Sequence, residues 1–395
     1  MSSVLADSAD VAQQTKFALT NVRIFDGERF IAGHAVLVED GKVLGVVANA
    51  DLPNDIAAED LGGKLLVPGF VDVQVNGGGG IMFNDDQSVD ALKTIVSGHR
   101  KYGSTTLMPT LITDRFEVMQ AAADSIESAI SQNVPGVRGV HFEGPYFSLA
   151  RRGVHLEEYI RDVDDGAYDL FTRKGLGAVI VTLAPEEVPA QFISSLNDAG
   201  VRVCAGHTSA TYDQAAAGFD AGVTGVTHLY NAMPPMMNRE PGLIGAAYDR
   251  GDIYCGLIVD GIHLHHATTR SVFASLPTHK VMLVTDAMAT VGAKVKSFNL
   301  YGTQIAVKDG VLATEEGRLA GSDLDMMEAV RITRDEVGVD FAETLRMASL
   351  YPATYLGLDD QIGRIAKGYD ADFALIDETS NKVTRTWIKG EGENS

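Results

Sequence analysis

Eight short apolar segments, separated by segments with helical periodicity, are the feature of this sequence that most limits how the chain can fold. Segments this apolar on both faces are typical of parallel strands covered by helices. Eight strand–helix repeats predict an α/β fold, a (β/α)8 TIM-type barrel, over residues 65–360. A doubly wound parallel sheet is the alternative, but the glycine pattern of a dinucleotide-binding turn is missing. In chain order, the segments are LLVPGFVDVQV, TTLMPTL, VRGVHFEG, AVIVTLAP, VRVCAGHT, GVTHLYN, YCGLIVDG and VMLVTDAM.

Both ends of the chain have instead the alternating pattern of short β-strands. Residues 17–50 predict an antiparallel meander, and the segments DADFALID and VTRTWIKG near the C terminus have the same pattern. We predict a small β-sandwich domain built from residues 1–64 and 361–395, with two unrelated β-segments as the alternative. A hairpin-like insert is predicted near Asn299–Thr314.

The composition limits the partners of the chain. The formal net charge of −21 disfavours nucleic acid and anionic membrane surfaces. Residues 1–15 lack the basic start and apolar core of a signal peptide, and no apolar run approaches the about 18–20 residues of a membrane helix. Two cysteines, Cys204 and Cys255, are too few for a disulfide framework and suit a reducing compartment. We therefore predict a cytoplasmic protein with no nucleic acid and no membrane as partner.

Polar residues end most of the eight apolar segments, where a barrel of this kind keeps its active site. Three of them, Glu143, His207 and His228, supply one carboxylate and two imidazoles. This set suits one divalent metal, with zinc favoured and iron, manganese or cobalt as alternatives. Taken singly, each residue could be a helix cap or a hydrogen-bonded core residue. A shared metal is favoured because burying all three unpaired would be costly.

Further polar residues are candidates for proton transfer and for substrate binding. Asp286 ends the eighth segment and is the predicted general base, with a fourth metal ligand or a helix N-cap as the alternative. The stretch Thr227–Gly245 is too long for a simple turn, and long loops are usually functional. Arg239 within it and His263 beyond it are the cations that an anionic substrate would need, although each could be a solvated surface charge.

Several stretches together resemble the N-acetylglucosamine-6-phosphate deacetylase family of the amidohydrolase superfamily. They include VPGFVDVQVNGGGG, HFEGPYF, AGHTSAT, THLYNAMPPM, NREPGLIG, VDGIHLH, LVTDAMA, LAGS and RMASLYPA, and they cover nearly the whole chain. The resemblance implies a barrel with a small β-sandwich, metal ligands at Glu143, His207 and His228, and the catalytic aspartate at Asp286. It implies substrate contacts at Val154, His155, Asn231, Ala232, Arg239, Asp260, Gly261, Ile262, His263, Leu319, Ala320 and Gly321.

The resemblance also implies an assembly and a metal count. In the family, the arginine and the loop that meet the phosphate come from the neighbouring subunit, so a homodimer is expected, with Arg239 and His263 completing the phosphate site across the interface. The superfamily's two first-strand histidines are replaced here by Gln74 and Asn76. Because amides are weaker ligands than imidazoles, a single metal is expected.

The expected reaction is metal-dependent hydrolysis of N-acetyl-D-glucosamine 6-phosphate to D-glucosamine 6-phosphate and acetate, in amino-sugar catabolism or recycling. Asp286 is expected to move the proton, and His155 is expected to act with the metal in stabilising the oxyanion. The alternatives are another amidohydrolase reaction on a cyclic amide or nucleobase, a different N-acetylated hexosamine phosphate as substrate, and a sugar-phosphate sensor without activity.

Overall fold

The structure is a computed structural model, and it describes residues 16–395. Its main body is a barrel of eight parallel strands. Neighbouring strands pair in chain order, from the first strand to the eighth. We number them barrel strands 1 to 8: Phe70–Val75, Ser104–Ile112, Gly139–Glu143, Ala178–Leu183, Arg202–Ala205, Val223–Val226, Tyr254–Leu257 and Val281–Leu283. Each of the eight predicted segments therefore overlaps one barrel strand, and the barrel prediction is confirmed.

The ring closes just beyond the end of barrel strand 8. A parallel bridge joins Val75 to Ala287. The amide of Asn76 donates to the Ala287 carbonyl at 2.9 Å, and the amide of Asp286 donates to the Gln74 carbonyl at 3.0 Å. The residues that join the first and last strands therefore include the predicted general base.

Helices cover the outside of the barrel. The helix Tyr212–Ala221 begins with a capping box between Thr211 and Gln214 and ends at Gly222, whose φ is 120°. Such caps satisfy backbone groups that a helix end would leave unpaired. The helices are Val89–Arg100, Phe116–Ser131, Ala167–Phe171, Ala190–Asp198, Tyr212–Ala221, Gly242–Arg250, His266–Ser275, Met326–Ile332, Phe341–Ala348 and Leu350–Leu356, with a π-helical turn at Thr333–Val337.

The two ends of the chain form one sheet, which fits the small domain predicted from both termini. Its first three strands are antiparallel neighbours, and the next two pair parallel with the first. The strand Leu65–Pro68 also pairs antiparallel with the C-terminal strand Phe373–Asp377. Trp387 and Phe373 are buried in a core separate from that of the barrel. The strands of this sheet are Lys16–Phe25, Phe30–Glu39, Lys42–Ala48, Ala57–Asp60, Leu65–Pro68, Phe373–Asp377, Lys382–Ile388 and Glu391–Asn394.

The apolar segment from Leu65 to Val75 was predicted as a single barrel strand, and this is wrong. Leu65–Pro68 lies in the terminal sheet, and the barrel begins at Phe70. The chain crosses between them at Gly69, where a Cβ atom would overlap the side chain of Thr105. Both strands are fully buried, so hydrophobicity alone does not reveal the break.

A three-stranded insert follows barrel strand 8, where a hairpin was predicted. Its strands are Ser297–Leu300, Thr303–Lys308 and Val311–Thr314. The insert packs an apolar cluster, which includes Leu300 and Ile305, against Met288 beyond barrel strand 8. It therefore forms part of the wall above the C-terminal ends of the barrel strands.

Two sequence predictions concern termini and membranes. The prediction that residues 1–15 contain no signal peptide lies outside the described residues. Within residues 16–395, every helix is either too short or too polar to cross a bilayer.

Candidate active site and metal centre

Glu143, His207 and His228 converge at the C-terminal mouth of the barrel. One donor atom from each lies within 4.8 Å of the others. The Nε2 atoms of the two histidines are 3.1 Å apart, and they lie 3.3 Å (His207) and 3.1 Å (His228) from Glu143 Oε1. All three side chains are buried. Two imidazole nitrogens facing each other beside a carboxylate oxygen form the donor set of a divalent metal such as zinc.

The backbone at three of these strand ends is left-handed. His207, His228 and Asp286 have φ values of 50°, 32° and 51°, which side-chain-bearing residues rarely adopt. Such conformations cost about 1–3 kcal/mol each and cluster at functional sites. They turn the side chains that follow barrel strands 5, 6 and 8 towards the mouth.

The tautomer of His207 is fixed from outside the cluster. Its Nδ1–H donates to the Arg151 carbonyl at 2.9 Å, which leaves the lone pair of Nε2 facing Glu143 and His228. Burial opposes ionisation of Glu143, but the two imidazoles hold the pKa of this carboxyl well below its usual range. Glu143 therefore presents an anionic oxygen, and burial lowers the pKa of His207, which presents a neutral nitrogen. Carboxylates and imidazoles bind metals in these forms.

Gln74 and Asn76, which are expected in place of two superfamily histidines, bond to carboxylates. The Gln74 amide donates to Glu143 Oε1 at 3.0 Å and to Asp286 Oδ1 at 3.2 Å. The Asn76 amide donates to the same Asp286 oxygen at 2.7 Å. The two amides therefore orient the predicted metal-binding carboxylate and the predicted general base.

Asp286 is buried beside the cluster. Burial, reinforced by the negative charge of Glu143, raises the pKa of Asp286 to about 6. A carboxyl group with a pKa in this range can both accept and release a proton near neutral pH.

His155 is buried against the cluster, and two groups of Thr113 lie close to one of its ring nitrogens. The Thr113 amide donates to His155 Nδ1 at 3.3 Å, and the Thr113 hydroxyl lies 2.8 Å from the same atom. Burial, with the nearby imidazole of His207, lowers the pKa of His155 to about 3. His155 is therefore neutral, and the Thr113 N–H, which can only donate, indicates the tautomer with the proton on Nε2.

His263 is held by a carboxylate three residues earlier in the chain. Its Nδ1 lies 2.6 Å from Asp260 Oδ2, and Asp260 Oδ1 accepts the amides of Ile262 and His263. Burial opposes ionisation of Asp260, but these donors keep its pKa below its usual value. Asp260 thus orients His263 from behind.

A cavity of about 440 Å³ opens above the cluster. Twelve of the residues predicted for the site line it, from loops after six different barrel strands: Asn76, Glu143, Val154, His155, His207, His228, Asn231, Ala232, His263, Asp286, Leu319 and Gly321. At Gly321 a Cβ atom would lie 2.8 Å from the Asp286 carbonyl, and φ is +56°, so this close approach requires glycine.

Six predicted site residues do not line the cavity: Gln74, Arg239, Asp260, Gly261, Ile262 and Ala320. Gln74 and Asp260 lie behind the wall, at the contacts described above. Arg239 is exposed on the loop that follows barrel strand 6, beside Met236 and Met237, which are 50% and 57% exposed. Glu240 fixes this loop by accepting the amides of Tyr212 and Gly242.

Two arginines of the cavity wall, Arg151 and Arg318, were not predicted as site residues. The pair Arg151-Arg152 was noticeable only as a basic pair before His155. Arg318 directly precedes the LAGS stretch. No period or spacing in the sequence distinguishes the arginine that lines the cavity from its neighbour.

A closed parallel barrel that carries this metal-binding cluster and a buried aspartate at its mouth defines a metal-dependent hydrolase of the amidohydrolase class. A model of the amidohydrolase family matches residues 65–391, and a model of the NagA composite domain matches residues 16–66. The chain belongs to the amidohydrolase family, so the predicted membership is confirmed.

Relatives within this family narrow the class to deacetylases of N-acetylated hexosamine phosphates. The chain is 38% identical over 359 residues to an N-acetylgalactosamine-6-phosphate deacetylase of Shewanella sp. strain ANA-3, which covers 90% of this chain and 91% of the relative. It matches the structure of the N-acetylglucosamine-6-phosphate deacetylase of Pasteurella multocida with a TM-score of 0.92 and 35% identity, covering 96% and 100% of the two chains. A Mycobacterium smegmatis deacetylase mutant (D267A), solved in complex with N-acetyl-D-glucosamine 6-phosphate, matches with a TM-score of 0.88 and 32% identity, covering 96% and 99%.

Proposed function

We propose that this chain hydrolyses the acetamide of N-acetyl-D-glucosamine 6-phosphate to D-glucosamine 6-phosphate and acetate, in amino-sugar catabolism or recycling. The observation that carries the proposal is the position of Asp286. This buried carboxylate shares the amide of Gln74 with Glu143 of the metal-binding cluster. The names of the relatives supply the substrate class.

The residues that would hold the metal are Glu143, His207 and His228. When bound, a divalent metal supplies Lewis-acid activation of water and of the acyl oxygen. We propose zinc, with iron, manganese and cobalt as alternatives, because imidazole and carboxylate donors suit all four. A single metal per subunit is supported by the bonds that Gln74 and Asn76 make to carboxylates, which use their amide groups as donors.

Asp286 and His155 carry the proton transfer and the charge stabilisation. Asp286 accepts a proton from the attacking water and delivers it to the amine nitrogen as the acyl C–N bond breaks, which releases acetate and the free amine. Asn76 holds the Asp286 oxygen in place during both steps. The Nε2–H of neutral His155 donates to the acyl oxygen as negative charge develops there.

The enzyme must also bind the phosphate group of the substrate. We assign it to His263, oriented by Asp260, and to Arg239 of a second subunit in a homodimer. The exposure of Arg239, Met236 and Met237 on one loop supports this assignment, since methionines are enriched in protein interfaces. Val154, Asn231, Ala232, Leu319 and Gly321 surround the sugar.

Two further assignments accompany the reaction. We place the protein in the cytoplasm, which is consistent with the two buried, unpaired cysteines Cys204 and Cys255. The second candidate substrate is N-acetyl-D-galactosamine 6-phosphate, because the Shewanella relative is named for that sugar. Acetate release from the two phosphosugars, each with its unphosphorylated form as control, ranks the candidates.

Replacing Asp286 by Asn tests the proposed mechanism. General acid–base catalysis contributes about 10²–10⁴-fold, so we expect turnover to fall by that factor. The metal content should stay equal to that of the wild type, as measured by elemental analysis, because Asp286 is outside the cluster. A D286N variant with near-normal turnover would show that another group moves the proton.

A further inference from the structure

The catalytic cavity needs positive charge that the predicted residues of this subunit do not supply. Its wall contains two carboxylates, Glu143 and Asp286. Of the two predicted cations, His263 is paired with Asp260, and Arg239 is absent from the wall. A cavity that handles anions within a chain of net charge −21 requires local cations.

Arg151 is a cation of the wall without a partner in the described chain. It ends a short 3-10 helix, Leu149–Arg151, and its carbonyl is held by His207. Within residues 16–395, its Nε is buried with no hydrogen-bond partner, and the guanidinium has no carboxylate within 4.0 Å. The adjacent Arg152 differs, because it pairs with Glu157 at 3.5 Å and lines a neighbouring cavity. A buried N–H without an acceptor is costly, so a ligand is its natural partner.

Arg318 lies on the same wall, in the turn that follows the insert. Two bonds between Arg318 and Thr314 close the turn: the Thr314 amide donates to the Arg318 carbonyl at 2.9 Å, and the Arg318 amide donates to Thr314 Oγ1 at 3.2 Å. The Arg318 guanidinium reaches the Gly153 carbonyl at 3.4 Å, two residues from Arg151. It too has no carboxylate partner in the described part of the chain, although Glu315 and Glu316 lie in the same turn.

We propose that Arg151 and Arg318 form an anion-binding subsite of the catalytic cavity, which takes a phosphate or carboxylate group. Arginine matches both groups through its forked N–H donors. The identity of the anion rests on the proposed function, whose reaction involves two: the sugar phosphate and the acetate. The subsite is separate from Arg239 and His263, because its residues come from the loops after barrel strands 3 and 8 of the same subunit.

Product inhibition of the metal-loaded enzyme tests the subsite. The variants are R151Q and R318Q, with R152Q as the matched control and R318K as the charge-retaining variant. Sodium acetate, D-glucosamine 6-phosphate and unphosphorylated D-glucosamine are the inhibitors. We expect R151Q and R318Q to raise the inhibition constant of one anion about tenfold, the effect of losing one charge-assisted hydrogen bond. R152Q should match the wild type, and R318K should lie between.

The two anionic inhibitors distinguish which anion, the sugar phosphate or acetate, binds at the subsite. A change confined to acetate assigns the subsite to the acyl product, whereas a change for the sugar phosphate without one for glucosamine assigns it to the phosphate. Equal inhibition constants for all four variants and the wild type would overturn the proposal. If the wild type releases no acetate from any phosphosugar, the proposed function fails, and calorimetric titration of the same variants with inorganic phosphate and sodium acetate still decides the subsite.

Discussion

The hydroxyl of Thr113 connects two functional residues of the site. It lies 2.8 Å from His155 Nδ1 and 3.1 Å from the carbonyl of Glu143. With the Thr113 amide also directed at Nδ1, His155 is held as the tautomer that can donate from Nε2. Thr113, which does not line the cavity, thereby influences which nitrogen of His155 carries the proton.

Replacing Thr113 by Val tests this role. We expect kcat to fall about tenfold with little change in KM, because the His155 donor acts mainly in the transition state. The T113S variant retains the hydroxyl and should recover most of the rate. The ¹⁵N chemical shifts of His155 report the tautomer directly. Equal losses in T113V and T113S would mean that only the shape of the side chain matters.

Asp72 gives the folded protein a pH dependence at the residue scale. It is fully buried and accepts the Thr285 hydroxyl at 2.6 Å, and burial raises its pKa from 3.8 to about 7. The folded state therefore binds this proton more tightly than the unfolded chain. The free energy of unfolding from this group falls as the pH rises from about 4 to about 7 and is constant above that.

The D72N variant should lose this dependence. As the pH rises from about 4 to about 7, we expect the wild type to lose stability relative to D72N. The loss in unfolding free energy should be up to about 1.4 kcal/mol per pH unit. Denaturant unfolding at several pH values, with the same metal loading for both proteins, measures it. A difference that does not vary with pH would contradict an abnormal pKa at Asp72.

At the scale of elements, one tyrosine of the insert makes hydrogen bonds to the barrel, in addition to the apolar packing against Met288. The Tyr301 hydroxyl is 3.0 Å from both the Thr113 carbonyl and Asp114 Oδ2, and it accepts the Asn84 amide at 3.1 Å. The chain that leaves the insert supplies Leu319 and Gly321 to the cavity wall. The position of the insert on the barrel therefore affects the shape of the cavity.

The Y301F variant should loosen the insert. Loss of these bonds costs about 1–3 kcal/mol, so we expect faster proteolytic cleavage within residues 297–318 and a raised KM. Y159F is the matched control, because the Tyr159 ring packs edge-on against Tyr301 and its hydroxyl has no hydrogen bond within residues 16–395. Equal cleavage rates for both variants would show that apolar packing alone holds the insert.

The barrel could be predicted from the sequence because its signals are local. Each barrel strand lies in a short apolar run, and a polar residue ends most of these runs. Glu143, His207, His228 and Asp286 occupy such places. The break at Gly69 could not be predicted, because two buried strands in succession read as one. Gln74 and Asn76 were identified only as missing ligands, since their bonds to Glu143 and Asp286 join residues far apart in sequence.

At the scale of the whole molecule, the proposed homodimer makes each active site depend on two chains. R239A and D286N should each be nearly inactive as pure dimers. In a mixed dimer, the site with an intact Asp286 receives Arg239 from its partner. We expect random mixing to restore roughly a quarter of wild-type activity, since half of the dimers are mixed and each has one complete site. Refolding equal amounts of both variants together provides the measurement, and no recovery would mean that Arg239 acts within its own subunit.

The closure of the barrel at Asp286 has a consequence for thermal inactivation of the enzyme. The amide of Asp286 bonds to Gln74, and the next residue, Ala287, bridges to Val75. If the strands separate first at this junction, the carboxylate of Asp286, the proposed general base, is displaced while the rest of the barrel is still folded. On heating, activity should therefore be lost at a lower temperature than the helical circular dichroism signal. Activity then reports the opening of this junction before global unfolding.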